Sequence, residues 1–134
     1  MIETFAGVLV AVVLIIITLM VNKYFTTRLL SATILVAIAF IYVGFALKDN
    51  TVPYIILEIV VAILFYFVAL IGYLRNSSLV AFGIIMHGVW DILHHHAWMV
   101  NTDIPTYWPS FCLTTDLVYG IYLLYGLKKS PTWI

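Results

Sequence analysis

"IETFAGVLVAVVLIIITLMV", Ile2 to Val21, is the stretch on which the fold turns. After Glu3 it carries no ionisable side chain until Lys23. At 1.5 Å per residue, a helix of this length covers about 30 Å, the thickness of a bilayer's hydrocarbon core. The rest of the chain agrees. Of its 134 residues, 65% are apolar and 9% charged, with a mean hydropathy of +1.15. A water-soluble domain carries about 25% charged residues. The reading is an all-α polytopic membrane protein.

Four more runs have the length of a membrane span: Leu29 to Leu47, Pro53 to Leu74, Leu79 to Val100 and Trp108 to Leu127. The separators "NKYFTTR", "KDNT", "RNSS" and "NTDIPTY" are polar and too short to form a soluble domain. Pro53 and Pro109 sit where a helix can start, since a missing N–H costs little in the first turn. Backbone polar groups must be satisfied within the bilayer, so the spans are helices. The expectation is one five-helix transmembrane bundle over residues 1–134. The first run lacks a basic flank and a small-residue cleavage site, so it reads as a retained helix rather than a signal peptide. Gly7 and Ala11, four apart, suit a close helix contact.

Lys23, Arg28, Arg75, Lys128 and Lys129 fall on one side of this arrangement and Lys48 on the other. The excess of basic residues marks the cytoplasmic side, which places the N-terminus outside and the C-terminus inside. Six basic residues balance six acidic ones, so there is no basic surface for nucleic acid. The single cysteine, Cys112, forms no intrachain disulfide. Five spans do not divide into two inverted halves, which argues against the common transporter plan.

One span is chemically unlike the others. "MHGVWDILHHHAWM", Met86 to Met99, holds all four histidines and an aspartate. With His87 as zero and about 100° per residue, Asp91 falls at about 40°, His94 at about 340° and His95 at about 80°. These four share one face, and His96 points the opposite way. Histidines three or four apart are the usual way in which a helix offers ligands to one ion. Imidazole with carboxylate suits zinc or iron. A lone polar side chain in a span often does no more than bond a neighbouring helix. Four on one face are hard to explain by packing, and intramembrane ionisable residues point to function.

Two further acids lie within apolar runs. Glu58 enters the third span by about 8 Å and Asp116 the fifth by about 12 Å, at 1.5 Å per residue. Counted back from Val100 in the same way, His94 and His95 lie at about 8–9 Å and Asp91 at about 14 Å. Glu58, Asp91, His94, His95 and Asp116 then share a plane in the outer half of the bilayer, with His87 below it. No lysine or arginine lies at that depth, so histidine or a metal must neutralise the acids. The expected metal ligands are His87, Asp91, His94, His95 and Asp116, with Glu58 or Asp116 as general base. Asp91 and Asp116 can equally orient ligating histidines. Cys112 reads as a small core residue. Trp98, Tyr107 and Trp108 read as interfacial anchors. The first two spans read as scaffold.

"DILHH" resembles a histidine box of membrane desaturases and hydroxylases. Those enzymes use about eight histidines for two irons, so four histidines do not build that site alone; a carboxylate-rich site or a homodimer would be required. All four lie on one helix, which excludes a haem held by two histidines of different helices in one chain. "HGVWDILHH" followed by "YWPSFCLTTD" also resembles a group of small, uncharacterised bacterial membrane proteins. That resemblance covers roughly the last fifty residues. It implies that His87, Asp91, His94, His95 and Asp116 form one site in a bacterial inner-membrane protein, and it brings no activity.

The favoured expectation is a membrane metalloenzyme, a hydrolase or an oxidoreductase, acting on a lipid-like substrate with a divalent metal. A metal-free acid–base isomerase, a proton or metal transporter and a non-catalytic accessory subunit remain alternatives. The transporter reading meets an inner half with no ionisable residue between His87 and Arg75 on the fourth helix.

Overall fold

Asn76 separates two helices by a single residue. Its backbone N–H still bonds the carbonyl of Gly72, closing the helix before it. Its side-chain oxygen accepts the Ser78 N–H at 3.0 Å, capping the helix after it. The helices are α1 (Ile2–Val21), α2 (Thr27–Asp49), α3 (Val52–Arg75), α4 (Ser77–His94) and α5 (Trp108–Lys129), and this joint is the one between α3 and α4. The computed structural model describes residues 1–49, 51–95, 99–100, 102 and 104–129. His96 and Trp98 lie outside them. The described residues form these five helices and no strand.

Four of the helices, Ile2–Val21, Thr27–Lys48, Val52–Arg75 and Ser77–His94, are long and apolar enough to cross a membrane. Large apolar side chains such as Leu9, Ile16, Leu64 and Phe82 stand exposed on their outer faces. This surface suits lipid better than water, which is consistent with membrane insertion.

The helices run alternately up and down. One end of the bundle, the upper end here, holds the starts of α1, α3 and α5 and the ends of α2 and α4. α4 is the hub: it packs on α5, α3 and α2, while α1 packs on α5. Gly7 of α1 makes that last contact possible, because a Cβ there would lie 2.6 Å from the Phe111 carbonyl oxygen. At the lower end, Arg28 of α2 bonds Ser77 Oγ at 2.6 Å and the Tyr73 carbonyl at 3.1 Å, which ties α2 to the α3–α4 joint. Ala32, Leu35, Ala69, Val80, Ala81, Ile84, Tyr119 and Leu123 form the apolar core of the lower half.

α4 ends at His94, six residues before the apolar run does at Val100. His95 is extended (φ −63°, ψ 117°), and the chain turns back on the helix end. The Met99 and Val100 N–H groups both reach the Leu93 carbonyl, at 3.1 and 3.2 Å. This return satisfies a carbonyl that the helix end leaves open. His94 therefore lies at the upper end of its helix, not one and a half turns inside it.

Candidate metal centre

The buried face of α4 carries Val80, Ile84, His87, Asp91 and His94 at alternating steps of four and three residues. The upper three meet polar partners on every packed neighbour. His87 faces α5, where its Nδ1 lies 2.7 Å from Asp116 Oδ2. Asp91, one turn above, lies 4.0 Å from the same nitrogen. Ligand atoms of His87, Asp91 and Asp116 all fall within 4.8 Å of one another, and all three residues are buried. Gly88 lets α5 come this close: a Cβ there would stand 3.3 Å from a Leu113 methyl and 3.4 Å from the Asp116 Cβ.

Two atoms of this group have no hydrogen-bond partner among the described residues: His87 Nε2 and Asp91 Oδ2. Buried polar atoms without a partner are costly and call for a water, an ion or another bound group to satisfy them. If Asp116 accepts the Nδ1 proton of His87, the ring presents a bare Nε2. This is the tautomer a metal needs.

Tyr42, from α2, donates its hydroxyl proton to Asp91 Oδ1. Its ring packs against both His87 and His94, with centroids 5.6 and 4.6 Å away. Phe65 of α3 closes the opposite wall at 5.2 Å from His87. The expectation that α2 serves only as scaffold is therefore corrected. A buried tyrosine hydroxyl needs a partner, and that need was the signal in the sequence: the one hydroxyl-bearing ring in the second apolar run.

His94 belongs to a second pair. Its Nδ1 meets the Trp90 carbonyl at 3.0 Å and its Nε2 meets Glu58 Oε1 at 2.7 Å. A carbonyl only accepts, so Nδ1 carries a proton. One further proton is then shared between Nε2 and Glu58, and the pair is neutral whichever atom holds it. Trp90 Nε1 donates to the other Glu58 oxygen at 3.3 Å. Glu58 and His94 are both buried.

The five expected ligands are thus not one cluster. His87, Asp91 and Asp116 come together. His94 joins Glu58 on the α3 side, and His95 turns to Ser110 Oγ at 3.1 Å. Cys112 is buried beside α5's polar face and lies outside the three-residue group. Asp91 also lines a cavity of about 320 Å³ between α1, α4 and α5, together with Thr4, Ile92, His95, Pro109, Ser110, Leu113 and Thr114.

Fold and site together define a small all-helical protein with a buried histidine–carboxylate centre at one end of its bundle. The chain belongs to DUF6010, a family of unknown function whose model matches residues 2–129. No curated protein and no solved structure matches the chain.

Proposed function

We propose that this protein is a membrane-embedded metalloenzyme. In this reading all five helices cross the bilayer, with the upper end outside, and a divalent ion is held by His87, Asp91 and Asp116. The observation that carries it is the convergence of these three buried residues with two polar atoms, His87 Nε2 and Asp91 Oδ2, left unpartnered. Charge supports it. Two carboxylates and a neutral imidazole balance one divalent cation, so the occupied centre is neutral in a medium where net charge is expensive. Three protein ligands would leave a position open, as in catalytic rather than structural sites.

The chain's own residues set up the chemistry. Tyr42 holds Asp91, and Asp116 either ligates the ion directly or accepts the His87 Nδ1 proton and orients the ring. Phe65 and the Tyr42 ring keep water from the His87 side. The Glu58–His94 pair stores a proton about two turns above His87. A divalent ion would supply Lewis-acid activation of water or, for iron, redox chemistry. A substrate reaching this depth from the bilayer is lipid-like.

A second reading has its own support. The His87–Asp116 bond and the Tyr42–Asp91 bond are complete without an ion, as an acid–base isomerase requires. Elemental analysis separates the two. The protein is purified in detergent without chelator, alongside Asp91→Asn and His94→Gln. Stoichiometric zinc or iron is expected in the parent and in His94→Gln, with loss in Asp91→Asn. Metal absent from a folded parent, even after loading with zinc and ferrous iron, would overturn the metalloenzyme and leave proton transfer. Asp116→Asn then reports that residue's part: complete loss if it ligates, a roughly 10–100-fold weaker affinity if it only orients His87.

A further inference from the structure

The cavity beside Asp91 is built from the start of α1, the end of α4 and the first two turns of α5, at the same end of the bundle. Thr4 lies in the first turn of α1, and Pro109 and Ser110 lie in the first turn of α5. His95 follows the last residue of α4. α1 and α4 each pack closely on α5, and α1 does not pack closely on α4. That leaves a cleft between them, floored by α5. Asp91 is fully buried and lines the cavity, so it lies at the closed end.

The lining has two characters. Ile92, Pro109 and Leu113 are apolar. Thr4, His95, Ser110 and Thr114 offer hydrogen bonds. Thr114 already donates to the Ser110 carbonyl at 2.8 Å, and His95 Nε2 meets Ser110 Oγ at 3.1 Å. No lysine or arginine lines the cavity. The amino group of Met1 is paired with Glu3 at 3.0 Å. At the closed end stands Asp91, with Asp116 behind it. With the proposed ion in place the two carboxylates balance it, so an anionic group entering here meets no net positive charge and no lysine or arginine among the described lining residues. An uncharged polar group meets a serine hydroxyl, an imidazole and threonines.

We propose that this cavity binds the uncharged polar end of an amphiphile, a hydroxyl or carbonyl group on an alkyl chain, and excludes phosphate and carboxylate headgroups. His95 and Ser110 hold the polar end, and the chain leaves through the cleft between α1 and α4 into the lipid. At about 320 Å³ the cavity is small for a ligand site and fits a compact head with its first few carbons. The inference deepens the metalloenzyme reading by naming the substrate class. It rests on that reading only for what happens at Asp91, since binding itself needs no ion.

The test is photolabelling in detergent with a diazirine-bearing C12 alcohol, against the matching alkyl phosphate, with adducts mapped by mass spectrometry. The alcohol is expected to label the start of α1 and the start of α5, about tenfold above the phosphate. Ser110→Trp, which fills the cavity mouth, should lower that labelling about tenfold. Ile92→Trp is the second plug, at a position already 39% exposed, where a larger side chain is tolerated. Labelling spread over the lipid-facing surface, equal labelling by the phosphate, or labelling unchanged in both folded plug variants would overturn the proposal. Metal content is read on the same samples. Labelling lost from a protein that keeps its metal condemns the cavity alone, and cavity labelling in a protein that never holds metal condemns the centre alone.

Discussion

Val80 and Ile84 lie on the same buried stripe of α4 as His87, Asp91 and His94, and the two halves of that stripe obey opposite energetics. The lower half packs aliphatic side chains against Leu35, Ala69 and Leu123. In a bilayer that contact gains little from the hydrophobic effect, because lipid tails are as apolar as leucine; close packing supplies the stability. The upper half replaces the same positions by groups that cost free energy to bury and return it only through well-placed partners. A chain selected only for folding would continue the lower half upward. The upper half costs stability, and it is where the proposed centre lies.

The largest expected effect comes from putting the upper chemistry into the lower half. Ile84→Asp places a carboxylate among aliphatic neighbours with no partner. It should destabilise the protein by about 3–5 kcal/mol, read by thermal or denaturant unfolding in detergent. Stability equal to the parent would show that the lower half tolerates charge, and the contrast would collapse. The reverse exchange is next in size. Glu58→Leu together with His94→Leu removes a neutral buried pair whole. It should leave stability unchanged or raise it by about 1–4 kcal/mol, whereas Glu58→Leu alone destabilises by stranding His94. A double variant as damaged as Ile84→Asp would make the pair structural.

The sequence was readable to different depths in these two halves. The helices themselves were legible from length and apolarity, and four of them are long and apolar enough to cross a membrane. The end of α4 was not: "AWMV" continues the apolar run, and nothing local signals that Met99 and Val100 turn back to the Leu93 carbonyl. The angular reading placed His87, Asp91 and His94 on one stripe, and they are on it. Counting rise left His87 below the plane of the others. Seven residues advance the helix by about 10 Å, and in the structure His87 pairs with Asp116 while His94 pairs with Glu58. Which neighbour each meets, α5 for His87 and α3 for His94, depends on packing that no single helix encodes. Tyr42 was passed over because tyrosine in an apolar run reads as one more ring.

Gly88 sits where the two halves join, so it tests whether the site depends on helix spacing. Gly88→Ala adds a methyl 3.3 Å from Leu113 and 3.4 Å from the Asp116 Cβ, which must give by a few tenths of an ångström. The His87–Asp116 bond lengthens, and affinity for the proposed metal should fall about tenfold, measured by competition with a chromogenic chelator. Gly44→Ala, with open space around it, is the control. Equal metal affinity in the two variants would mean that the centre is not set by the α4–α5 distance.

The smallest effect tests a polar tie between α1 and α5 beside the apolar core. Thr18 Oγ1 lies 2.7 Å from the Leu14 carbonyl, which can only accept. The threonine proton therefore points there, and Tyr119 must be the donor in its 2.9 Å bond to Thr18. Thr18→Val keeps the shape, removes the acceptor and strands a buried tyrosine O–H. Tyr119→Phe removes the donor and leaves Thr18 bonded to Leu14. The first should cost about 0.6 kcal/mol, up to about 1.7 kcal/mol, on the scale of interhelical hydrogen bonds in membranes. The second should cost less, because nothing buried is left unpaired. Neither should alter metal content. An equal loss from both would show that the bond's value lies in the contact itself, and a loss of metal from either would show that the lower half reaches the centre after all.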